Sequence, residues 1–509
     1  MGALPELVAG LLRPAAYDHP VAHLAYIETH ISWVILTGEF AYKLKKPLDL
    51  GFLDFSTLDK RHAACEEELR LNRRLAADYY LAVVPITGTP AAPRVDGPGA
   101  ALDYAVKMRQ FPPDATLDRL DAAGQLTAQH VEAIATTLAH FHRTGCARAD
   151  AASPWGEPDA IWQPVAQNFA QIAPHLRDDD AAARLSRLAE WSAAEHARLA
   201  PLMAQRKRDG YVRECHGDLH LGNLAWVEGR LVVFDCIEFN PALRWIDILS
   251  EVAFCFMDLV HRAHQDWAFL FLNLWLEGTG DYAGLALLRY YAVYRALVRA
   301  KVALLRAAQA PGDTGAALAY LDLAAQLCRV PALTLSITHG LSGSGKTTAT
   351  RRLIERDHAV RMRSDVERKR LAGLDALAKS GSAIGSGLYG SDQTQRTYAH
   401  LAQLADAVLA AGWPVIVDAT FSKRWQRALF RDLARRRGVP FRILDFDLPV
   451  AILAERVAQR ARAGGDASEA DLAVLARQIA TQEPLDDTER QDVVDGLGDA
   501  PFPSSQSGF

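Results

Sequence analysis

Strand-like, largely apolar runs at residues 32–36 and 40–44, parted by the turn signal Thr37-Gly38, predict two adjacent strands. Residues 61–77 then switch to helical spacing, with Cys65, Leu69 and Leu75 on the repeat. Strand-like runs return at 83–86 and 102–108, and the Pro/Gly-rich stretch 90–99 between them reads as a loop. From 126 to 204 the pattern is helical. A short strand pair around Ala225 and 231–234 interrupts it before further helices run to Cys328. At Val330-Pro331 the rhythm changes. Four apolar runs, 333–339, 359–362, 414–417 and 441–446, now alternate with helical segments, which predicts a parallel sheet wrapped by helices. Ser468-Glu469-Ala470-Asp471 reads as a capping box opening a late helix. No internal repeat relates the two parts, so the expectation is two different folds. Residues 1–330 form an α+β domain, 331–500 an α/β domain with a parallel sheet, and 501–509 a disordered tail.

Composition narrows the class without changing that outline. A chain of 509 residues exceeds what one core serves. Half hydrophobic and 23% charged, it has the balance of a folded globular protein. A formal net charge of −5 advertises neither a nucleic-acid nor a membrane binder, though a local cleft can still be cationic. Cys65, Cys146, Cys215, Cys236, Cys255 and Cys328 have no C-x-x-C spacing, which argues against a thiolate metal site and for a reducing compartment. The apolar runs 252–257 and 268–276 are broken by Asp258, Asp266 and Glu277 and are too short to span a bilayer. Residues 1–14 carry no basic leader. The expected location is cytoplasmic, with no membrane partner.

Chemistry enters most sharply at Gly340-Leu-Ser342-Gly343-Ser344-Gly345-Lys346-Thr347, which satisfies G-x-x-x-x-G-K-[ST] at every position. Glycines in this arrangement turn backbone N–H groups inward around phosphate oxygens at a helix N-terminus, here entering at Thr348. Lys346 reaches the β and γ phosphates of ATP, and the Thr347 hydroxyl ligates Mg²⁺. The motif follows one predicted strand and precedes a predicted helix, as the chemistry requires. After the second strand, Asp365 is placed to accept a proton from an attacking hydroxyl, its structural alternative being a helix N-cap. Asp418 ends the third strand where a carboxylate holds the Mg²⁺ shell. Arg456, Arg460 and Arg462 follow the fourth strand as a candidate lid over the transferring phosphate, or else a solvated basic face. Arg363-Ser364-Asp365 with Arg368, Asp418-Ala-Thr-Phe421 and Arg456-x-x-x-Arg460 together resemble the P-loop kinases, the superfamily of gluconate kinase, zeta toxin and polynucleotide 5′-hydroxyl kinase. The resemblance covers about 333–495.

A second constellation lies upstream. His216-Gly-Asp218-Leu-His-Leu-Gly-Asn223 matches the kinase catalytic loop H-x-D-x-x-x-x-N. There Asp218 orients or deprotonates the acceptor hydroxyl and Asn223 ligates Mg²⁺. Twelve residues on, Asp235 ends a strand where a second metal ligand belongs. These residues resemble the aminoglycoside phosphotransferase and choline kinase family, over about 30–328. The resemblance implies a two-lobed kinase fold and makes Asp247 a structural carboxylate. Lys43 in Ala41-Tyr-Lys43 fits the phosphate-contacting lysine better than Lys45 on the same strand face. Its helical partner is Glu67 or Glu68, and the spacing from Glu67 to Leu71 and Leu75 favours Glu67. Met108 falls where the chain enters the inter-lobe hinge. Two departures stand out: no G-x-G-x-x-G precedes the lysine strand, and Cys236-Ile237-Glu238 follows Asp235 in place of Phe-Gly. Arg295, Arg299 and Lys301 read as a basic helix face, with an anionic acceptor site as the alternative.

The combined expectation is a bifunctional ATP- and Mg²⁺-dependent phosphotransferase acting on hydroxyls of small molecules. Two rivals remain open at this point: a nucleic-acid acceptor for the second half, and a nucleotide-sensing role for one half.

Overall fold

Strand and helix signals become two compact units in the computed structural model, which describes residues 4–51, 53–176, 178–309, 314–376, 378, 390–463, 468 and 470–495. The first unit comprises Met1–His130, Thr144–Ala160 and Met203–Glu251. Its sheet contains β1 (Ala25–Glu28), β2 (Ser32–Leu36), β3 (Phe40–Lys45), β4 (Tyr80–Thr89), β5 (Ala92–Val95) and β6 (Asp103–Arg109). They run antiparallel in the order β1-β2-β3-β6-β4-β5. Because side chains alternate across a strand, Tyr42 and Leu44 of β3 enter one core with Ile35, Val84, Ile86 and Ala105. Lys43 and Lys45 therefore face the other side, where the helix Leu58–Ala76 lies. That side holds a second core of Cys65, Leu69, Ala76, Tyr80 and Val106. The rest of the unit supplies β7 (Val212–Glu214), β8 (Leu224–Val227), β9 (Arg230–Val233) and β10 (Trp245–Asp247), paired as β7·β10 and β8·β9. Ala225 and Val232 of the β8·β9 hairpin join the second core. The expected loop at 90–99 contains β5, whose Pro93 and exposed residues mask its alternation.

The second unit comprises Val131–Arg143, Ile161–Leu202 and Val252–Phe509. Five parallel strands, β11 (Leu335–His339), β12 (Val360–Arg363), β13 (Val415–Asp418), β14 (Phe441–Asp445) and β15 (Val493–Asp495), lie in the order β12-β13-β11-β14-β15. Central β11 is buried along almost its whole length, as continuous apolar strands of parallel sheets are. Its neighbours β13 and β14 lead away on opposite sides, so the loop leaving β11 opens at the switch point where α/β sheets bind ligands. β15 has three residues and lacked a legible pattern.

The compact units do not divide at Val330. The helix Gln265–Thr279 packs against β12 and the helix Lys346–Asp357 in the same unit. Asn273 Nδ2 donates to Ala359 O (2.9 Å), and its Oδ1 accepts from the Arg361 backbone N–H (2.6 Å). The Tyr282 hydroxyl donates to Arg361 O (3.3 Å). β12 is a sheet edge, and these side chains satisfy backbone groups that would otherwise be left unpaired. The late helix Leu472–Thr481 is capped by Asp471, which accepts from Val474 N, rather than by Ser468. Among the described residues no helix is long and apolar enough to cross a membrane. Residues 501–509, expected as a tail, lie outside the described residues.

Two candidate nucleotide sites

In the first unit, β3 and the Leu58–Ala76 helix bring Lys43 Nζ to Glu68 Oε1 at 2.8 Å, and Lys43 also pairs with Asp235. Lys45 pairs with the other oxygen of Glu68 and with Glu238. Lys45, Glu68 and Glu238 are buried, whereas the Asp235 side chain is about half exposed (45%). Burial opposes the charge on Lys43, but Asp235 and Glu68 outweigh it and hold the ammonium well above its ordinary value. The same contest keeps Asp235 low: burial pushes its carboxyl up and Lys43 brings it below the usual range.

Glu67 is a correction. It turns to Arg70 (2.7 and 2.8 Å) and Arg244 (2.6 Å), and Glu68 meets the lysines. The buried seam of the helix runs through Cys65, Glu68, Leu69, Asn72 and Ala76, placing Glu67 off that face.

Asn223 Nδ2 donates to Asp218 O (2.9 Å) and Oδ2 (3.0 Å), joining the two catalytic-loop residues. The loop is anchored from behind. The His216 backbone N–H donates to Glu251 Oε1 (2.7 Å), and the His216 ring bonds Phe234 O (2.8 Å). Asp235 sits at φ 65°, a left-handed conformation that costs a non-glycine residue energy and recurs at functional sites. Its backbone N–H donates to the Tyr80 hydroxyl (3.1 Å), and Cys236 N donates to Asn72 Oδ1 (2.9 Å). Glu251, Tyr80 and Asn72 were missed because supports of this kind carry no local motif. Met108 pairs with Ala41 near the end of β6, where the chain leaves the sheet. Asp247 is structural, bonding Arg206 at 2.7 and 2.9 Å and capping Leu249 N.

The second unit places a cleft of ≈ 270 Å³ at the end of β11. Ser342, Gly343, Gly345, Lys346, Thr347 and Thr348 line it, with Asp365, Asp418 and Arg456. The loop's glycines are required sterically. At Gly340 (φ 144°) a Cβ would meet Phe446 O at 2.7 Å, and at Gly343 (φ 86°) Leu453 O at 2.8 Å. Ser344 is buried, and Lys346 Nζ donates to Gly340 O (2.9 Å) and Leu341 O (2.7 Å). The Thr347 hydroxyl donates to Asp418 Oδ2 (2.9 Å), so the two proposed metal ligands are adjacent. Asp365 stands in the first turn of the helix Ser364–Leu371, whose N-cap position belongs to Arg363, so capping does not explain it. The Arg456 guanidinium lies over Gly345. Arg460 belongs to the helix Val450–Ala463, and its side chain lies outside the described residues. Tyr398, Arg368 and Gln478 also line the cleft, and Gln478 Oε1 accepts from Ser342 N (2.9 Å). Arg295 is not a solvated cation: it is buried against the rings of Phe254 and Tyr294.

These residues suit Mg²⁺ and a nucleotide triphosphate. The glycine cradle excludes side chains where phosphate must approach, and Thr347 with Asp418 offers the hard oxygens Mg²⁺ prefers. In the first unit Asn223 and Asp235 would supply the oxygens and Lys43 would make the phosphate contact.

Fold and sites define a chain with a protein-kinase-like part and a P-loop NTPase part. An AAA domain family (AAA_33) matches residues 335–485. The chain belongs to the same family as the uncharacterized protein Rv2004c of Mycobacterium tuberculosis (strain ATCC 25618 / H37Rv), with 30% identity over 469 residues, 91% of this chain and 92% of that one. Among solved structures it is similar to a sugar kinase from Janibacter sp. HTCC2649, at 24% identity and TM-score 0.25 over 33% of this chain and 86% of that one. It is also similar to a choline/ethanolamine kinase family protein from Mesorhizobium loti, at 10% identity and TM-score 0.39 over 62% and 90%.

Proposed function

We propose that the chain is a bifunctional ATP-dependent phosphotransferase, each half passing the γ-phosphate to a hydroxyl of a small molecule. One observation carries the reading. Each unit gathers, from distant sequence positions, a lysine, a pair of oxygen-bearing side chains and a further carboxylate, which supports phosphate, Mg²⁺ and acceptor roles for them in turn. Mg·ATP, when bound, supplies the phosphoryl group and neutralises charge that develops during transfer. Lys43 and Lys346 hold the phosphates; Asp218 and Asp365 orient the acceptor hydroxyl and receive its proton. The Arg363 and Arg368 side chains in the P-loop cleft favour an acceptor that carries negative charge. No disulfide joins any of the six cysteines, which supports a reducing, cytoplasmic location.

The test uses the full chain with labelled ATP, Mg²⁺ and a panel of sugars, sugar acids, amino alcohols, nucleosides and 5′-hydroxyl oligonucleotides. Asp218→Asn should lower one transfer by roughly 10²–10⁴-fold and spare the other, since it removes only a proton acceptor. Lys346→Ala should do the converse. A panel in which both substitutions silence the same single transfer would refute two activities.

A further inference from the structure

The residues around Asp418 pose an electrostatic problem. Asp418 must present its carboxylate to a divalent cation, yet two arginines of β12 stand beside it. Arg363 Nε is 4.0 Å from Asp418 Oδ2. Arg361, buried, donates from Nη1 to Thr347 O (3.1 Å) and Thr350 Oγ1 (3.2 Å), and the Thr350 hydroxyl lies 3.5 Å from the same Asp418 oxygen. Near a low-dielectric wall a guanidinium and a carboxylate attract strongly and close to direct contact unless another anion competes.

A competing anion is Glu277, supplied by the helix Gln265–Thr279, about sixty residues before the P-loop. Its Oε1 accepts from Arg361 Nη2 (2.6 Å) and Nε (3.2 Å), and its Oε2 from Arg363 Nη1 (3.5 Å). The side chain is only 12% exposed, so water screens these contacts little. One carboxylate thus orients both arginines. Arg361 is turned so that its remaining donor fixes the carbonyl of Thr347, the residue whose hydroxyl bonds Asp418.

We infer that Glu277 is a positioning residue for the P-loop site: by engaging Arg361 and Arg363 it keeps Thr347 and Asp418 available to the divalent cation that accompanies the nucleotide. The inference rests on the P-loop reading above. Removing the Glu277 charge weakens the pull on Arg363 away from Asp418, so the two pair more closely and Mg²⁺ must then displace a guanidinium.

The experiment titrates Mg²⁺ against full-length protein with a non-hydrolysable ATP analogue, reading equilibrium binding and thermal shift. Lys346→Ala defines the part of the signal owed to the P-loop. Glu277→Gln should raise the half-saturating Mg²⁺ of that part about tenfold, with analogue binding recovered at high Mg²⁺. Glu277→Asp, which keeps the charge, should give a smaller shift. Adding Arg363→Gln to Glu277→Gln should restore the original Mg²⁺ dependence, which loss of packing alone would not produce. An unchanged Mg²⁺ requirement in Glu277→Gln, with Lys346→Ala still removing its share, overturns the inference and leaves the P-loop reading standing. If Lys346→Ala removes nothing, the P-loop reading itself fails. Should Glu277→Gln fail to fold, Glu277→Asp decides alone: a raised requirement supports the inference and an unchanged one overturns it.

Discussion

Two lysines two positions apart on β3 share one carboxylate, Glu68, and differ in their second partner. Lys43 reaches Asp235, whose side chain is half exposed, and Lys45 reaches Glu238, which is buried. On the proposed function, that difference makes Lys43 the nucleotide contact and Lys45 a scaffold residue, which substitution can test. Lys45→Met should destabilise the protein by about 3–5 kcal/mol in chemical denaturation, because Glu68 and Glu238 stay buried with less compensation. Lys43→Met should instead weaken Mg·ATP use by the first unit and cost less stability. Equal effects of the two on both measurements would remove the distinction. The A-x-K spacing pointed to Lys43 without a structure. Spacing to Leu71 and Leu75 favoured Glu67, but of that row only Leu71 is buried, whereas Cys65, Asn72 and Ala76, the positions in line with Glu68, are all buried and are small or polar. A polar residue buried by an ion pair looks like a surface residue in sequence, which is also why Glu251, behind His216, gave no signal.

Edges and ends of elements are held by side chains from remote segments, which explains why four strands of the parallel sheet were legible and their closure was not. The strands β11 to β14 have four or five residues each and alternate with helices, whereas β15 is three residues joined late in the chain. It is tied down by the helix Arg424–Arg437. Arg427 bonds Glu489 bidentately (2.8 and 2.9 Å), and Arg431 bonds Asp492 (2.6 Å) just before the strand. Burial raises the Glu489 carboxyl, but Arg427 brings it below the ordinary value. With a lowered folded value, the unfolded chain takes up the proton first as pH falls. The stabilisation is therefore complete above about pH 4.3 and is lost as pH falls further towards the folded value. Glu489→Gln should unfold at lower temperature at pH 7, by about 3 kcal/mol, and the gap should narrow below pH 4. A gap independent of pH would assign the effect to packing. At the opposite edge, Asn273→Leu leaves the Ala359 carbonyl and the Arg361 N–H without their partner. Its expected cost is about 2–4 kcal/mol in denaturant, since each unsatisfied buried group forfeits roughly 1–3 kcal/mol; an unchanged midpoint would show that water replaces the amide.

At the scale of the whole chain, the composition change at Val330 and the division into compact units are different boundaries. Rhythm along a sequence reports local structure, so the switch to alternating strands and helices appeared where the parallel sheet begins. Compactness depends on which faces meet. The chain passes repeatedly between the two units, and the helices after Val252 are counted with the P-loop sheet. The physical cause is the unpaired edge of β12, which the helix Gln265–Thr279 closes with Asn273 and Glu277 and the following turn closes with Tyr282. A fragment of residues 331–509 would start beyond all three. It would expose an edge strand able to pair with other copies and would deprive Arg361 of the carboxylate that holds it. The fragment should therefore aggregate on expression, or unfold without a cooperative transition, while the full chain remains folded under the same conditions. Light scattering and thermal unfolding of the two side by side check this. A monomeric 331–509 fragment with a sharp transition at the temperature of the full chain would show that the sheet edge needs no partner. Val330 would then be a boundary in folding as well as in rhythm.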